Sequence, residues 1–548
     1  MRLNKRAAFF CKYLLAFFIT CFLFGCASQQ KPQGGPKDRN PPKLLKATPA
    51  NMTRRFNAKQ IRLDFDEYFA LKNPFQEISM SPAQDKLPTY KTSKKSIVVD
   101  FKDTLQKNTT YVINFGKSIA DLNEGNILQN FTYVFSTGDH IDSLSVSGSV
   151  KNTLTQEKEK DITVMLFPLK KDTLFGKKKP TIYASTDSSG NFTLNNLHEG
   201  DYTIYALKET SPNKIYDKDE ELIAFLKEPI HLRKDTANIH LNLFQQEPQK
   251  LRMIERRFDV DGKMFFTFNK PIARPSVKIL TPAALDQQKI VNFNKTGDTA
   301  SIYMRNMDFD SIRVSFLDNN KPLDTITLRK GRKESYVRTV SLQFNTTPDN
   351  KLKPTANLDI ISSIPLENFD NSLITLNEDS TNISNYTITK DTSNLKKLIL
   401  KYRWKPNSRY QLVVNDGALT TIYGDKNKKL AKIFTIDKAD NYGLLNLKIT
   451  IPDTSKAYVV ELLNDQKKLV RSDAVKKNMV ITYKDYPVGK YNVRVVYDRN
   501  RNGKWDSGNV KRREQPENIW LYAKDITLRS NWEAEEPIDI PKEPTTTP

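Results

Sequence analysis

Cysteine is almost missing from this chain. The three present, Cys11, Cys21 and Cys26, all lie at the start of 548 residues. Beyond residue 26 no disulfide and no thiolate metal site can form, so the fold must be held by its cores alone. Histidine is scarce too. His140, His198, His231 and His240 are the full set, and no two have metal-ligand spacing. There is no G-x-S-x-G, H-E-x-x-H or phosphate-binding glycine loop. Acidic residues are plentiful, so counting alone does not exclude a paired-carboxylate glycosidase. The absence of these patterns sets the expectation that the chain is not an enzyme, although fold alone does not fix function. Long amphipathic helical patterns are also lacking, with short helices expected only near residues 73–76 and 282–285.

Strand signals fill the space. "SIVVDF" (96–101), "TYVINF" (110–115), "FTYVFST" (131–137), "KMFFTFN" (263–269) and "RYQLVV" (409–414) are short and rich in β-branched and aromatic residues. Turn formers bound them. The expected class is all-β, in tandem sandwiches of about 100 residues each. The length exceeds what one core sustains. Charged residues make up 27% and hydrophobic residues 38%, a globular balance. The net charge is +23, which invites acidic partners in general. The basic residues are dispersed, however, without a recognition helix or RNA-binding signature, so no nucleic-acid partner is expected.

The first residues carry an address. Arg2, Lys5 and Arg6 precede an apolar run over 13–24 that is too short to span a bilayer as a helix. A basic stretch followed by a short apolar one reads as a secretory signal over residues 1–25. It ends on Leu23-Phe24-Gly25-Cys26, which resembles the lipobox of bacterial lipoproteins. That resemblance implies cleavage before Cys26 and acylation, palmitate included, of its thiol and new amino group. Several acyl chains anchor stably where one does not. Residues 26–40, rich in Gln, Gly and Pro, read as a flexible tether. Ala27 rather than Asp after the cysteine implies, by the lipoprotein-sorting pattern, the outer membrane, with the periplasmic or cell-surface face left open.

The chain also repeats itself. "GDYTIYALKETSPNKIYDKDE" from Gly200 aligns without gaps on "GKYNVRVVYDRNRNGKWDSGN" from Gly489, an offset of 289. Tyr202 meets Tyr491, Asn213 meets Asn502, Tyr216 meets Trp505 and Asp217 meets Asp506. "NTTYVINF" at Asn108 matches "NSRYQLVV" at Asn407, and Phe135 meets Phe434, at an offset of 299. A two-domain unit therefore occurs twice, around a central segment.

"IRLDFDEYF" (61–69), "NTTYVINF" and "FTYVFSTG" (131–138) make residues 41–138 resemble the bacterial Ig-like domain also found in surface-layer proteins, and 346–438 is its weaker copy. "VSGSV" (146–150) and "DSSGNFTLNNLHEGDYTIYALK" (187–208) make residues 141–246 resemble the prealbumin-like sandwich of carboxypeptidase regulatory segments. Residues 441–541 would be the second copy, 250–345 a central β-sandwich and 542–548 a tail. With the tether, this order resembles a group of outer-membrane lipoproteins of Bacteroidota. The resemblance implies location and architecture more than activity.

Two patterns carry candidate chemistry. Asp498, Asn500, Asn502, Gly503 and Asp506 spell D-x-N-x-N-G-x-x-D, the first part of a calcium loop, in which alternating oxygens face one point and Gly turns the chain. Position twelve is Asn509 rather than Glu, and Arg499 and Arg501 add repulsion. A Ca²⁺ site and a long Asn/Gly turn both remain open, and no other cofactor is implied. The first copy offers Glu209, Ser211, Asn213 and Asp217 with Pro212 between, which reads as ligation lost. Asp followed by Ser or Thr and a small or apolar residue, at Thr104, Ser143, Thr173, Thr236, Thr299, Ser311, Thr325 and Ser380, resembles the O-glycosylation signal of Bacteroidota, although Asp-Thr also suits ordinary turns.

The expectation is a non-catalytic, lipid-anchored outer-membrane protein. It acts as scaffold or accessory binding subunit of an envelope protein complex, with other envelope proteins as partners, for example in outer-membrane protein assembly or secretion. The alternative is a surface adhesin or glycan-binding protein. The four tryptophans, Trp404, Trp505, Trp520 and Trp532, do not recur in both copies, which weighs against repeated glycan platforms.

Overall fold

Alternation of apolar and polar residues drives most of the strands. Gln60–Phe65 and Arg409–Val414 each bury every second side chain, the signature of a sheet with one face in a core and one in water. The computed structural model describes residues 37–331, 336–530 and 532–544. About 49% of the chain is strand and 4% helix, so the protein is an all-β array of sandwiches. Pro74–Glu77 is a single α-turn with proline in its first turn, and Ala283–Gln288 is a 3₁₀ segment, close to the two expected helices. The leader, Cys26 and the tether up to residue 36 lie outside the described residues. Among the described residues no helix is long and apolar enough to cross a membrane.

The chain divides into two compact units, residues 1–141 and 142–548. The first packs the sheet Leu44–Thr48, Gln60–Phe65, Ser96–Asp100, Thr89–Ser93 and the sheet Ser79–Ser81, Thr110–Asn114, Thr132–Ser136 around Phe56, Phe65, Tyr111, Phe115 and Phe135. Tyr111 stacks on Phe135 with ring centroids 5.3 Å apart, and its hydroxyl accepts from Gln106 N at 2.8 Å.

The second unit contains four successive cores. Residues 144–245 form one eight-stranded sheet wrapped around Val146, Leu166, Phe192, Ile204 and Leu241. Its strands Leu144–Asn152 and Thr236–Gln245 run parallel, and a Cβ at Gly148 would lie 2.0 Å from Ile239 O, so only glycine permits this pairing. Residues 253–329 pack around Phe266, Phe268 and Phe316. Residues 342–436 reproduce the strand order of the first unit. There Tyr410 stacks on Phe434 at 5.5 Å, and its hydroxyl accepts from Lys405 N at 2.8 Å, again five residues upstream. The last core, residues 442–540, repeats the parallel pair as Tyr442–Thr450 with Glu533–Asp539. It also repeats a tyrosine latch: Tyr202 OH donates to His198 O at 2.9 Å and Tyr491 OH to Pro487 O at 2.7 Å. The sequence repeat is thus a repeat of hydrogen bonds and ring contacts.

Candidate functional site: the interlocked repeat loops

Some strands do not alternate. Thr163–Pro168 and Ala457–Asn464 are buried along almost their whole length, which requires cover on both faces. Each copy supplies that cover to the other. The outer face of the earlier sheet presents Met165, Phe167, Tyr205, Phe225 and Phe244, and Trp505 and Val510 of the later copy pack on it. The outer face of the later sheet holds the ion pair Glu461–Arg494 at 2.5 Å, with side chains 8% and 13% exposed. Arg494 Nη1 donates to Leu154 O at 3.3 Å, and Lys467 pairs with Glu157.

The loop 498–517 is the main fastener. Val510 N donates to Gln246 Oε1 at 2.8 Å and Gln515 Nε2 to Phe225 O at 2.7 Å. The Arg513 guanidinium lies 5.4 Å from the Tyr205 ring centre and 5.8 Å from that of Phe225. It donates to Leu226 O and Asp172 at 3.2 and 3.3 Å. A Cβ at Gly508 would fall 2.6 Å from Phe244 Cζ and from Glu514 O. The chain between the copies therefore does not separate them: Trp505, aligned with Tyr216, packs on the same aromatic cluster as Tyr216. Beside the fastener a groove of about 630 Å³ is lined by Glu247, Lys270, Ser507, Lys511 and Arg512.

This loop carries the residues of the calcium-like motif. Asp498 is buried, and its carboxylate accepts from Asn502 N at 3.1 Å and Gly503 N at 2.8 Å. Asn500 and Asn502 donate to Asp506 Oδ2 at 2.6 and 2.7 Å. The two arginines turn outward: Arg499 donates to Gln515 O and Pro516 O, and Arg501 to Ser455 O. Sequence alignment missed Glu517. It is 3% exposed and accepts from Arg499 N and Asp506 N at 2.7 and 3.1 Å. Burial, then the negative charges of Asp506 and Asp498, push its carboxyl above the ordinary range. Among the described residues no three carboxylate, imidazole or thiol groups converge as a metal centre, so any cation here would rely on amide and carbonyl oxygens as well.

The candidate glycosylation positions are all at least partly accessible. Thr104, Ser143, Thr173, Thr325 and Ser380 are exposed, whereas Thr236, Thr299 and Ser311 are half-buried. The hydroxyls of Thr236, Thr299 and Thr325 donate to Lys234 O, Asp298 and Ser315.

Three tryptophans serve the interior. Trp404 Nε1 donates to Ala356 O at 2.9 Å and its ring packs on Tyr402, Tyr410 and Phe434. Trp505 Nε1 donates to Glu517 O at 3.0 Å, and Trp520 packs on Tyr522 and the last core. Trp532 is 59% exposed. A second junction joins the central sandwich to the next through Tyr303, Ile364 and Ile422. There Lys396 Nζ sits 4.7 Å over the Tyr303 ring. Burial and the neighbouring Lys263 lower its pKa to about 8.

Residues 38–137 match the bacterial Ig-like domain family. No curated protein matches the chain. Among solved structures, the major pilin subunit of Bacillus cereus is similar at 10% identity and a TM-score of 0.14, covering 73% of this chain and 99% of that one. The surface-layer protein SbsC is similar at 9% and 0.15, covering 90% and 68%. A mixed-linkage glucan utilization locus protein of Bacteroides ovatus, SGBP-B in complex with a heptasaccharide, is similar at 9% and 0.20, covering 63% and 85%. Likenesses this distant carry no argument about role.

Proposed function

We propose that the chain is a non-catalytic, lipid-anchored protein of the bacterial outer membrane that works by docking on other envelope proteins. The observation that carries this reading is the interlock. Two copies of one sandwich bury their non-alternating sheet faces against each other through Trp505, Val510 and Arg513. The side chains of greatest binding potential, aromatic rings and arginine, are used to hold the modules together. Several modules on one chain suit several weak contacts acting together. The glycan-binding alternative needs repeated flat exposed aromatic platforms; Trp404, Trp505 and Trp520 are engaged in packing or carbonyl contacts, which leaves Trp532 as the one exposed tryptophan.

The test combines anchoring with recovery. Cys26→Ser should lose acyl label and leave the membrane fraction, and mild-detergent capture of the wild type should recover envelope proteins that the variant does not. Normal membrane retention without label, or identical recoveries, would contradict the proposal. Protease shaving of intact cells assigns the face.

A further inference from the structure

The N-terminal segment joins the first unit at one particular end. Asn126 Nδ2 donates to Asp38 O at 3.1 Å, so the chain enters beside the loop 122–130. Both connections between the two packed sheets, 66–78 and 115–131, lie at this end. Phe69–Leu71 and Ile119–Asp121 pair there as a two-stranded cap, with the single turn Pro74–Glu77 beside it. The chain leaves the unit at the opposite end, where Thr110 faces Ser136 and Arg55 N donates to Gly138 O at 2.9 Å.

The cap end is apolar outside as well as inside. Phe75 is 90% exposed, Leu45 70%, Leu122 63% and Tyr68 55%. Leu122 N donates to Tyr68 O at 3.2 Å, which sets those two residues side by side. Of the other exposed apolar side chains in this unit, Leu87 lies two residues before Thr89, at the opposite end. Apolar residues exposed singly need no explanation, but a group of them at one end marks a contact surface. Lysines stand among them. Lys95 Nζ lies 5.4 Å from the Tyr68 ring centre, and Lys72 Nζ reaches the loop, 3.5 Å from where a Cβ on Gly125 would sit. Lys94 is exposed in the adjoining hairpin turn. Several carboxylates of this end are already bonded to backbone. Asp121 accepts from Asn123 N, Glu124 N and Asn126 N at 2.7, 2.7 and 2.8 Å, and Asp66 from Lys43 N at 2.8 Å. Glu67 is half-buried. Burial, then the charges of Asp66 and Asp121, push its carboxyl above the ordinary range. Glu124 is exposed.

Cys26 lies twelve positions before Asp38, at most about 42 Å of fully extended chain. On the reading that Cys26 is acylated, on which this inference rests, a bilayer is the surface that the cap end meets first. We propose that this end of the first unit is a lipid-contact face: Tyr68, Phe75 and Leu122 enter the headgroup layer of a phospholipid bilayer, and Lys72, Lys94 and Lys95 reach its phosphate oxygens. Aromatic and aliphatic tips with lysines beside them are the composition that settles at a bilayer interface, the rings at headgroup level and the ammonium groups in water. Such contacts are weak one at a time. The acyl anchor supplies the effective concentration that makes them persist.

The test uses the full-length protein in vesicles of phosphatidylethanolamine and phosphatidylglycerol, with acylation of Cys26 read by mass. An environment-sensitive dye is attached at Leu122→Cys or Phe75→Cys, with Leu87→Cys as the control. All three positions are exposed, so the fold tolerates the label. The dyes at 122 and 75 should shift to the blue and be quenched by lipids spin-labelled near the headgroup, and the dye at 87 should do neither. Phe75→Asp should move the lipid-bound population reported at position 122 at least about tenfold toward water, with an unchanged melt. Dyes at 122 and 75 that stay in water on an acylated chain overturn the inference and leave the anchor standing. An unacylated Cys26 overturns the anchoring reading instead, and a dye at 122 still in water with that chain overturns the lipid face as well. Dyes that leave water only when membrane proteins are added assign the face to a protein partner and overturn the lipid proposal.

Discussion

Gly508→Ala is the smallest change that should unlock the two copies. The new methyl would stand 2.6 Å from Phe244 Cζ and 2.6 Å from Glu514 O. Both distances are far inside van der Waals contact. Phe244 is 2% exposed and part of the aromatic cluster, and Glu514 O accepts the Asn509 N–H at 2.7 Å. Neither can withdraw without breaking something, so the loop must lift. Overpacking of this kind costs about 1–3 kcal/mol. The lifted loop would also release the hydrogen bonds of Arg513, about 1.5–3 kcal/mol each for a charged donor, and its contacts over Tyr205 and Phe225. Hydrogen exchange at the Val510 amide, which donates to Gln246, reports local opening. A loss of 1–3 kcal/mol corresponds to exchange faster by about 5- to 150-fold. Gly424→Ala is the control. Its φ of +85° strains an alanine, but nothing lies within 4 Å, so Val510 exchange should not change. Unaltered Val510 exchange in Gly508→Ala would refute the account of the fastener.

Three further outcomes follow from the same structure. Arg494→Met should destabilise the second unit by about 3–5 kcal/mol in a denaturant melt, because it strands the buried Glu461; the double variant Glu461→Leu, Arg494→Met should recover most of that loss. Lys396 is held below its ordinary value of 10.5, at about 8, so the unfolded chain binds more protons between those values. Stability of the second unit should therefore rise with pH across about 8 to 10.5, and Lys396→Met should flatten that rise. Gly148→Ala should prevent the parallel pairing with Thr236–Gln245, seen as loss of a cooperative melt, since its methyl would sit 2.0 Å from Ile239 O.

Much of the fold was legible because local signals agreed. "RYQLVV" is a strand over Arg409–Val414 as expected, and "TYVINF" and "FTYVFST" shorten only to Thr110–Asn114 and Thr132–Ser136. Alternation and turn residues act locally, so the sequence shows them directly. The interlock was not legible. "TVMLFP" and "AYVVELLN" signal burial on both faces but cannot say what covers them, and the cover lies some 300 residues away. The duplication is visible in the sequence, but that the copies pack on each other is not. Glu221 and Glu517, buried at the close of the two aligned loops, escaped for a different reason. The offset between copies changes from 289 to 296 inside the loop, and only the hydrogen bond each makes to the preceding aspartate restores the correspondence.

The most direct test of a docking role is to compare deletion with point substitution in cells. Removing residues 441–541 strips the second copy and exposes the aromatic face at Tyr205, Phe225 and Phe244. The account predicts that this variant stays membrane-anchored through Cys26 but loses cross-linking to its envelope partner. Single substitutions of surface Asp, Glu or His residues should leave both cross-linking and cellular role intact. If one carboxylate substitution abolishes the cellular role in a folded, anchored and still cross-linked protein, the chain acts by chemistry and the docking account is wrong.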